Sequence, residues 1–429
     1  MKLFKSFKTL MLAAVTLGSS SAWSYDIVKR AKLIDDRFGT MEMMRPYGHN
    51  FVIPDFNAAI SADVFDIVDA ADDIDNLTFN DNQTEQAVTE INRILNDFYN
   101  KEKVLRTNVG FGFPIFSFNA FGLDIKPRVN TNLNILAVLT PRTEKLSFTN
   151  VINNLDQIPA DLRSKLAGCL GGLDDGDDIL DPANECVTAK ESQLIKDSYN
   201  IEKLPYDTQV LTGTNDIPLI DTYVKADLDL GVWFDYEKDK EWFGTLGFYL
   251  LGRADLKVQA DSTLLLAGAG DLDTSNNMVM NAVIDYKLGY KYKNFTFSGS
   301  IEELKLAEIS KEEESLEPSF GDDPLFRFHA DALYELSVIK LKPFIGSHAR
   351  SGYGLGDGYY IGADTSYHFW DDRIGLTVRT MIDKEHFTLG LNSKLWFMHL
   401  GLNGKFAMTD KVDDIEVSNY YYANLRFFF

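Results

Sequence analysis

The sequence predicts a transmembrane antiparallel β-barrel of about fourteen strands, within a range of about 12–16, preceded by a partly helical N-terminal segment. Three observations carry this expectation. Long stretches have an apolar residue at every second position, aromatic side chains gather at the ends of those stretches, and the chain finishes in an alternating aromatic run ending at Phe429.

Residues 1–24 read as a cleaved signal peptide. Lys2, Lys5 and Lys8 are followed by the apolar run Thr9–Gly18, and the small residues Ala22 and Ser24 precede Tyr25. The run falls short of the roughly 20 apolar residues that a membrane-spanning helix needs, so an anchor is not expected. No later run is long and apolar enough to be such a helix. The formal charge is −22, and removal of the three lysines takes the rest to −25. A surface of that sign repels phosphate backbones, which excludes nucleic acid as a partner.

Residues 25–104 form the partly helical segment. Within Thr84–Phe98, the apolar Val88, Ile91, Leu95 and Phe98 recur at steps of three and four, which predicts an amphipathic helix. A plug inside the barrel, a cap on its periplasmic side and packing against an outer insert are all open for it.

Residues 105–429 carry the strands. In Tyr359–Phe369 the odd positions Tyr359, Ile361, Ala363, Tyr367 and Phe369 are mostly apolar, against Asp364, Ser366 and His368; Ile374, Leu376 and Val378 repeat the pattern against Arg373, Gly375 and Arg379. A soluble sandwich alternates likewise, but the segments run to about 10–13 residues, beyond the ~5–6 usual for soluble strands. Trp242, Tyr290, Tyr292, Trp370 and Trp396 at segment ends also suit the girdles of a membrane barrel. Counting back from the C-terminus gives strands near 418–429, 395–406, 385–392, 372–382, 357–369, 337–347, 324–335, 294–306, 279–292, 242–262, 219–235, 131–140, 120–129 and 105–117. Connections then alternate between short turns at one end and long loops at the other, as bacterial barrels require. The longest, 141–218, is an insert with a helix suggested over Leu155–Leu166.

Positions alternating with the apolar set face the lumen. On the first half of the barrel they are Lys225, Asp227, Asp229, Arg253, Asp255, Lys257, Asp285 and Lys287. On the second half they are Arg327, His329, Asp331, Asp364, His368, Arg373, Arg379, His399, Lys405 and Arg426. Both signs occur on neighbouring strands, which suits pairing across the lumen and argues against a pore selective for one sign of ion. Leu333, Phe344, Tyr360, Leu395 and Phe397 are expected to form an apolar lumen patch.

Cys169 and Cys186 are the only cysteines, so in an oxidising compartment a disulfide is the simplest expectation. Between them Asp174, Asp175, Asp177, Asp178 and Asp181 are hard oxygen donors of the kind Ca²⁺ takes, but their spacing matches no calcium loop, so only a weak candidate site follows. The inward histidines, His386 included, come with no Gly-x-Ser-x-Gly turn, and no enzyme and no cofactor is expected.

The terminal run, with Tyr421, Leu425, Phe427 and Phe429 at alternate positions, resembles the C-terminal signature that the barrel-assembly machinery recognises in outer-membrane proteins. That implies the cell outer membrane as the location, with its lipid and lipopolysaccharide as partners. The whole arrangement, from signal peptide to about fourteen strands, is similar to the long-chain fatty-acid transporter superfamily. It also resembles a related barrel family named for conjugal transfer, through an acidic helical stretch before the Gly-rich first strand Leu105–Pro114. These resemblances imply a channel or transporter for a small solute, with an apolar ligand among the candidates. The alternative is a surface-interaction or assembly role.

Overall fold

The structure is a computed structural model and describes residues 26–45, 54–64, 101–145, 159–169, 177–199, 216–260, 273–313, 323–369, 373–412 and 415–427, with Leu173 and Lys203 besides. It is a closed antiparallel barrel of 14 strands. In chain order these are β1 Asp55–Ser61, β2 Lys103–Pro114, β3 Leu123–Lys145, β4 Asp216–Lys238, β5 Trp242–Ala260, β6 Asp273–Tyr292 and β7 Phe295–Glu313. The ring continues with β8 Leu325–Ala332, β9 Ile339–Ala349, β10 Tyr360–Phe369, β11 Ile374–Asp383, β12 His386–Leu395, β13 Met398–Ala407 and β14 Tyr420–Phe427. Each strand pairs with the next, and β14 pairs back onto β1, Arg426 opposite Asp55 and Tyr420 opposite Ser61. No helix among the described residues is long and apolar enough to cross a membrane.

The alternation does what a membrane wall requires. On β11, Leu376, Val378 and Ile382 face outward and are exposed, while Thr377, Arg379 and Met381 face inward and are buried. The same period puts Leu228 and Leu230 of β4 and Leu389 and Leu391 of β12 on the outside. Tyr421 is outward and exposed on β14; Phe429 lies outside the described residues.

Several expectations change. The barrel begins at Asp55, inside the segment expected to be helical, because Phe56, Ala58 and Ile60 alternate with Asp55, Asn57 and Ala59 over only 7 residues. The separate strands expected at 120–129 and 131–140 are one strand, β3, in which Pro127, opposite Phe234 of β4, does not break the pairing. One strand gained and one lost leave the number unchanged. The segment 242–262 is one strand, and β3 to β7 run 19 to 23 residues, past the loop boundaries at 141–218, 263–278 and 309–323. The helix expected over Thr84–Phe98 and the signal peptide lie outside the described residues.

Between β3 and β4, α2 (Ala160–Cys169) and α3 (Ala189–Tyr199) enclose a small core of Leu166, Ile179, Leu180, Val187 and Ile195. Cys169 and Cys186 are bonded, their Cα atoms 5.4 Å apart, so the bridge ties the end of α2 to the segment leading into α3. Asp178 accepts from Leu180 N at 3.1 Å and Asp181 from Ala183 N at 2.9 Å. These carboxylates cap local turns, and no group of metal-ligating side chains occurs among the described residues. Asp174 and Asp175 lie outside them.

Candidate functional site: a lumen filled by the first helix

Helix α1, Ile27–Met43, lies inside the ring. Asp26 caps it, its Oδ1 accepting from Val28 N at 3.0 Å and Lys29 N at 3.2 Å. Its 17 residues give a length of about 25 Å at 1.5 Å per residue. Ile27, Ala31, Ile34, Phe38 and Met41 follow at alternating steps of four and three, so they form one stripe. That stripe packs on inward side chains of the wall: Val104, Leu136, Val138, Tyr223, Tyr420 and Tyr422. Phe38 is held edge-on by Tyr420 at 5.7 Å and stacked on Tyr422 at 5.9 Å.

The remaining faces of α1 are charged, and apart from Lys29, which pairs with Asp26, these charges meet opposite ones on the wall and are largely buried. At the long-loop end Arg30 takes Glu102 at 2.9 Å and Glu385 at 2.7 Å, and Arg37 takes the same Glu385 at 2.6 Å. Burial pushes the Glu385 carboxyl up, but Arg30 and Arg37 outweigh it and hold it well below the usual carboxylate range. Lys32 pairs with Asp323 at 2.8 Å. One turn on, Asp35 receives Arg106 at 2.6 Å and is also paired with Lys225. Asp36 receives Arg350 at 2.8 Å and the Tyr353 hydroxyl at 2.6 Å. Below them Glu42 takes Arg106 at 2.5 Å, Arg327 donates to Thr40, and Arg379 donates to the carbonyl of Met44. Arg45 then reaches Asp55 at 2.5 Å and Asn57 at 2.6 Å, fastening the helix end to β1.

The wall charges form a network of their own. Glu303 has a left-handed backbone, φ 59°, at one of the register shifts between β6 and β7. The bulge turns its side chain inward, where it meets Arg253 at 3.3 Å and Arg350 at 3.2 Å. Arg253 continues to Asp227 at 2.5 Å, and Asp227 to Lys225 at 2.7 Å. A line of alternating charges thus connects β7, β5 and β4 to both Asp35 and Asp36 of the helix.

The inward candidates distribute as follows. Lys225, Arg327 and Arg379 touch α1 directly, and Phe344 and Tyr360 belong to the cluster packed on it. Asp227 and Arg253 stand one contact away. Arg379 also takes Asp364 at 2.7 Å, Lys405 takes Asp383 at 2.7 Å, and Arg426 takes Asp55 at 2.9 Å. Asp255 accepts from Tyr223 and Asp285 from Tyr249, both at 2.8 Å. His329 lies 3.1 Å from the Tyr360 hydroxyl and 3.3 Å from Asp331. His399 is buried inward, and Asp229, Lys257, Lys287 and His368 are half-buried on inward positions.

Two candidates are not in the lumen: Arg373 and Phe397 are exposed at short turns, where the strand alternation has ended. The expected apolar patch is also corrected. Leu333 and Leu395 are exposed, Leu395 on the outward set of β12. The lumen's second apolar patch is instead Tyr249, Leu251 and Val283, with Trp233 stacked on Tyr249 at 5.0 Å. The helix itself was missed, although its four-three stripe and Asp26 cap were the signal for it.

No family model matches the sequence, and no curated protein matches it. Among solved structures it is similar to the transport unit of the autotransporter AIDA-I from Escherichia coli, with 7% identity and a TM-score of 0.33, covering 94% of this chain and 99% of that one. The Pseudomonas putida toluene transporter TodX matches with 10% identity and a TM-score of 0.30, over 76% of this chain and 68% of that one. A Pseudomonas aeruginosa FadL homologue matches with 6% identity and a TM-score of 0.31, over 76% and 67%. Likenesses this low carry nothing about what passes through the barrel, so the chemistry of its lumen has to be argued from its own residues.

Proposed function

We propose that this chain is an outer-membrane transporter for a small solute, closed at rest by α1. The observation that carries the reading is that a helix of membrane-scale length fills the ring with its charges matched to the wall. A barrel needing only a scaffold has no use for a helix paired to that many strands. Transport then requires α1 to shift, and the contacts that resist the shift are the pairs made by Arg30, Asp35, Asp36 and Arg37. The inward surface beyond the helix mixes charges and amides with the Trp233–Tyr249 patch. That mixture favours a solute with an apolar body and a polar end.

The test is conductance and uptake. In planar bilayers the wild type is expected to be closed for most of the record, and Asp36→Asn combined with Arg37→Gln is expected to produce frequent openings. Mass spectrometry of lipids extracted from the purified barrel tests the apolar part of the solute. Two equally silent proteins, with no bound ligand, would move the reading to surface interaction. The disulfide-tied insert and the tall β3–β7 wall favour that second reading.

A further inference from the structure

Two inward carboxylates near the Trp233–Tyr249 patch lack the base that their neighbours have. Around the patch, Asp235 takes Arg128 at 2.9 Å, Glu302 takes Arg327 at 3.0 Å and Asp331 takes Lys342 at 3.3 Å. Asp285 has no such pair. Its Oδ1 accepts from both the Tyr249 hydroxyl and Glu303 N, each at 2.8 Å, and its Oδ2 has no hydrogen-bond partner among the described residues. Asp229 has neither a hydrogen bond nor an ion pair among them. Of the four charged groups that act on it most strongly, Asp227, Glu303 and Asp285 are acids, and the base, Arg253, is already bonded to Asp227 and Glu303. Lys287, the next inward base on β6, is grouped with Glu302 and Asp235 instead.

Between these carboxylates lies an aromatic platform. Asp229, Gly231 and Trp233 are successive inward positions on β4, and Gly231 is opposite Tyr249 of β5, so Tyr249 has Asp229 on one diagonal and Trp233 on the other. Trp233 stacks on Tyr249 at 5.0 Å, and its indole lies across Gly247, where a Cβ would collide with its Nε1 and Cδ1. Gly247 is opposite Asp285 of β6, so the ring extends toward that carboxylate. Asn281, opposite Leu251 of the patch, turns inward beside it at 2% exposure, and its Oδ1 is unpartnered among the described residues. On β4 these positions follow Lys225, the contact to α1, toward the short turn, and none belongs to the cluster packed on the helix. With α1 in place, Asp229, Trp233 and Asp285 remain half-buried, so the platform is not sealed.

The patch thus offers two carboxylates and one amide oxygen, all acceptors, beside an indole face. Such a set attracts a cation and repels an anion. A bare metal ion does not fit it, because no group of metal-ligating side chains occurs among the described residues and aromatic rings supply no oxygen ligands. We propose that this patch binds a small organic cation, a quaternary or protonated amine with an apolar body, with its charge over Trp233 and between Asp229 and Asp285. The proposal rests on the transport reading in giving the polar end of that solute a positive charge, but occupancy itself needs no movement of α1.

The test is equilibrium dialysis of benzyltrimethylammonium against the full chain in a neutral detergent at fixed salt. Benzyl alcohol and phenylacetate, which keep the ring and remove or reverse the charge, are expected to bind much more weakly. Asp229→Asn and Asp285→Asn are each expected to weaken cation binding about tenfold, the scale of one lost charge partner at a half-buried site. Trp233→Leu is expected to weaken it about threefold or more through the lost cation–π contact. Glu312→Gln removes an equal charge from an exposed position on β7 and is expected to change nothing, which separates the site from attraction to an acidic surface. Heat-modifiable migration on gels checks that each variant is folded. If either control ligand binds wild type as tightly as the cation does, or if both Asn variants keep wild-type affinity, the site is overturned. Liposome uptake through the Asp36→Asn, Arg37→Gln barrel reads transport separately. Cation binding without uptake ends the transport reading and leaves the site standing, whereas phenylacetate uptake without cation binding overturns the site alone.

Discussion

Arg350, in the loop after β9, lies 2.8 Å from Asp36 of α1, so a loop at the long-loop end is fastened directly to the helix in the lumen. Arg350 is 6% exposed and shared with Glu303, which makes its loss more than the loss of one pair. Arg350→Ala leaves Asp36 buried with only the Tyr353 hydroxyl and Glu303 with only Arg253, at a cost of up to about 3–5 kcal/mol. The expected outcome is a lower urea midpoint for α1 release, read from a fluorophore on the helix, together with more frequent channel openings.

Glu385 sets the response to acid. Its folded pKa is depressed, so it stabilises the folded state above its ordinary value and loses that contribution only as pH falls through the folded value. Taking the protein from pH 7 to 5 should therefore leave the Arg30–Glu385–Arg37 clamp intact, with weakening confined below about pH 4. Glu385→Gln should open the channel at pH 7 as well. A wild-type clamp that releases near pH 6 would contradict this.

Reduction of Cys169–Cys186 should loosen the insert without opening the barrel. The bridge spans 17 positions, and freeing a loop of that size removes about 3 kcal/mol of restriction on the unfolded chain. Limited proteolysis after reductant is expected to cut within 146–215, while the barrel still migrates as a heat-modifiable band.

Gly231 on β4 sits opposite Tyr249 of β5 and leaves room for that ring to stack on Trp233. A Cβ there would run into the Phe248 carbonyl and the Tyr249 backbone, neither of which can swing away. Gly231→Ala should cost about 1–3 kcal/mol of overpacking and reduce the fraction of heat-modifiable barrel after refolding.

Much of the ring was legible because a lipid-facing wall enforces alternation residue by residue, as on β10 and β11. The lumen was legible only as a set of inward positions. Partners such as Asp35 for Lys225, or Glu303 for Arg253, depend on which residue of α1 or of a bulge arrives at a given height, and alternation carries no such information. β1 was missed because 7 residues fall below the length that marks a strand, even though its alternation is regular. Arg373 and Phe397 were misplaced because the pattern was continued one or two residues into turns.

The pairing of β1 with β14 has a consequence for how the molecule is made. Asp55 and Arg426, which meet at that seam, are 371 positions apart, so this is among the last contacts a growing sheet can form. Helix α1 precedes the sealing strand and is tied to it through Arg45 and Asp55. The curved sheet of β2 to β14 must therefore receive its contents before or as its edges join. Closure of the ring and loading of its interior are one assembly event, and a chain with α1 mispaired would be expected to stall as an open sheet.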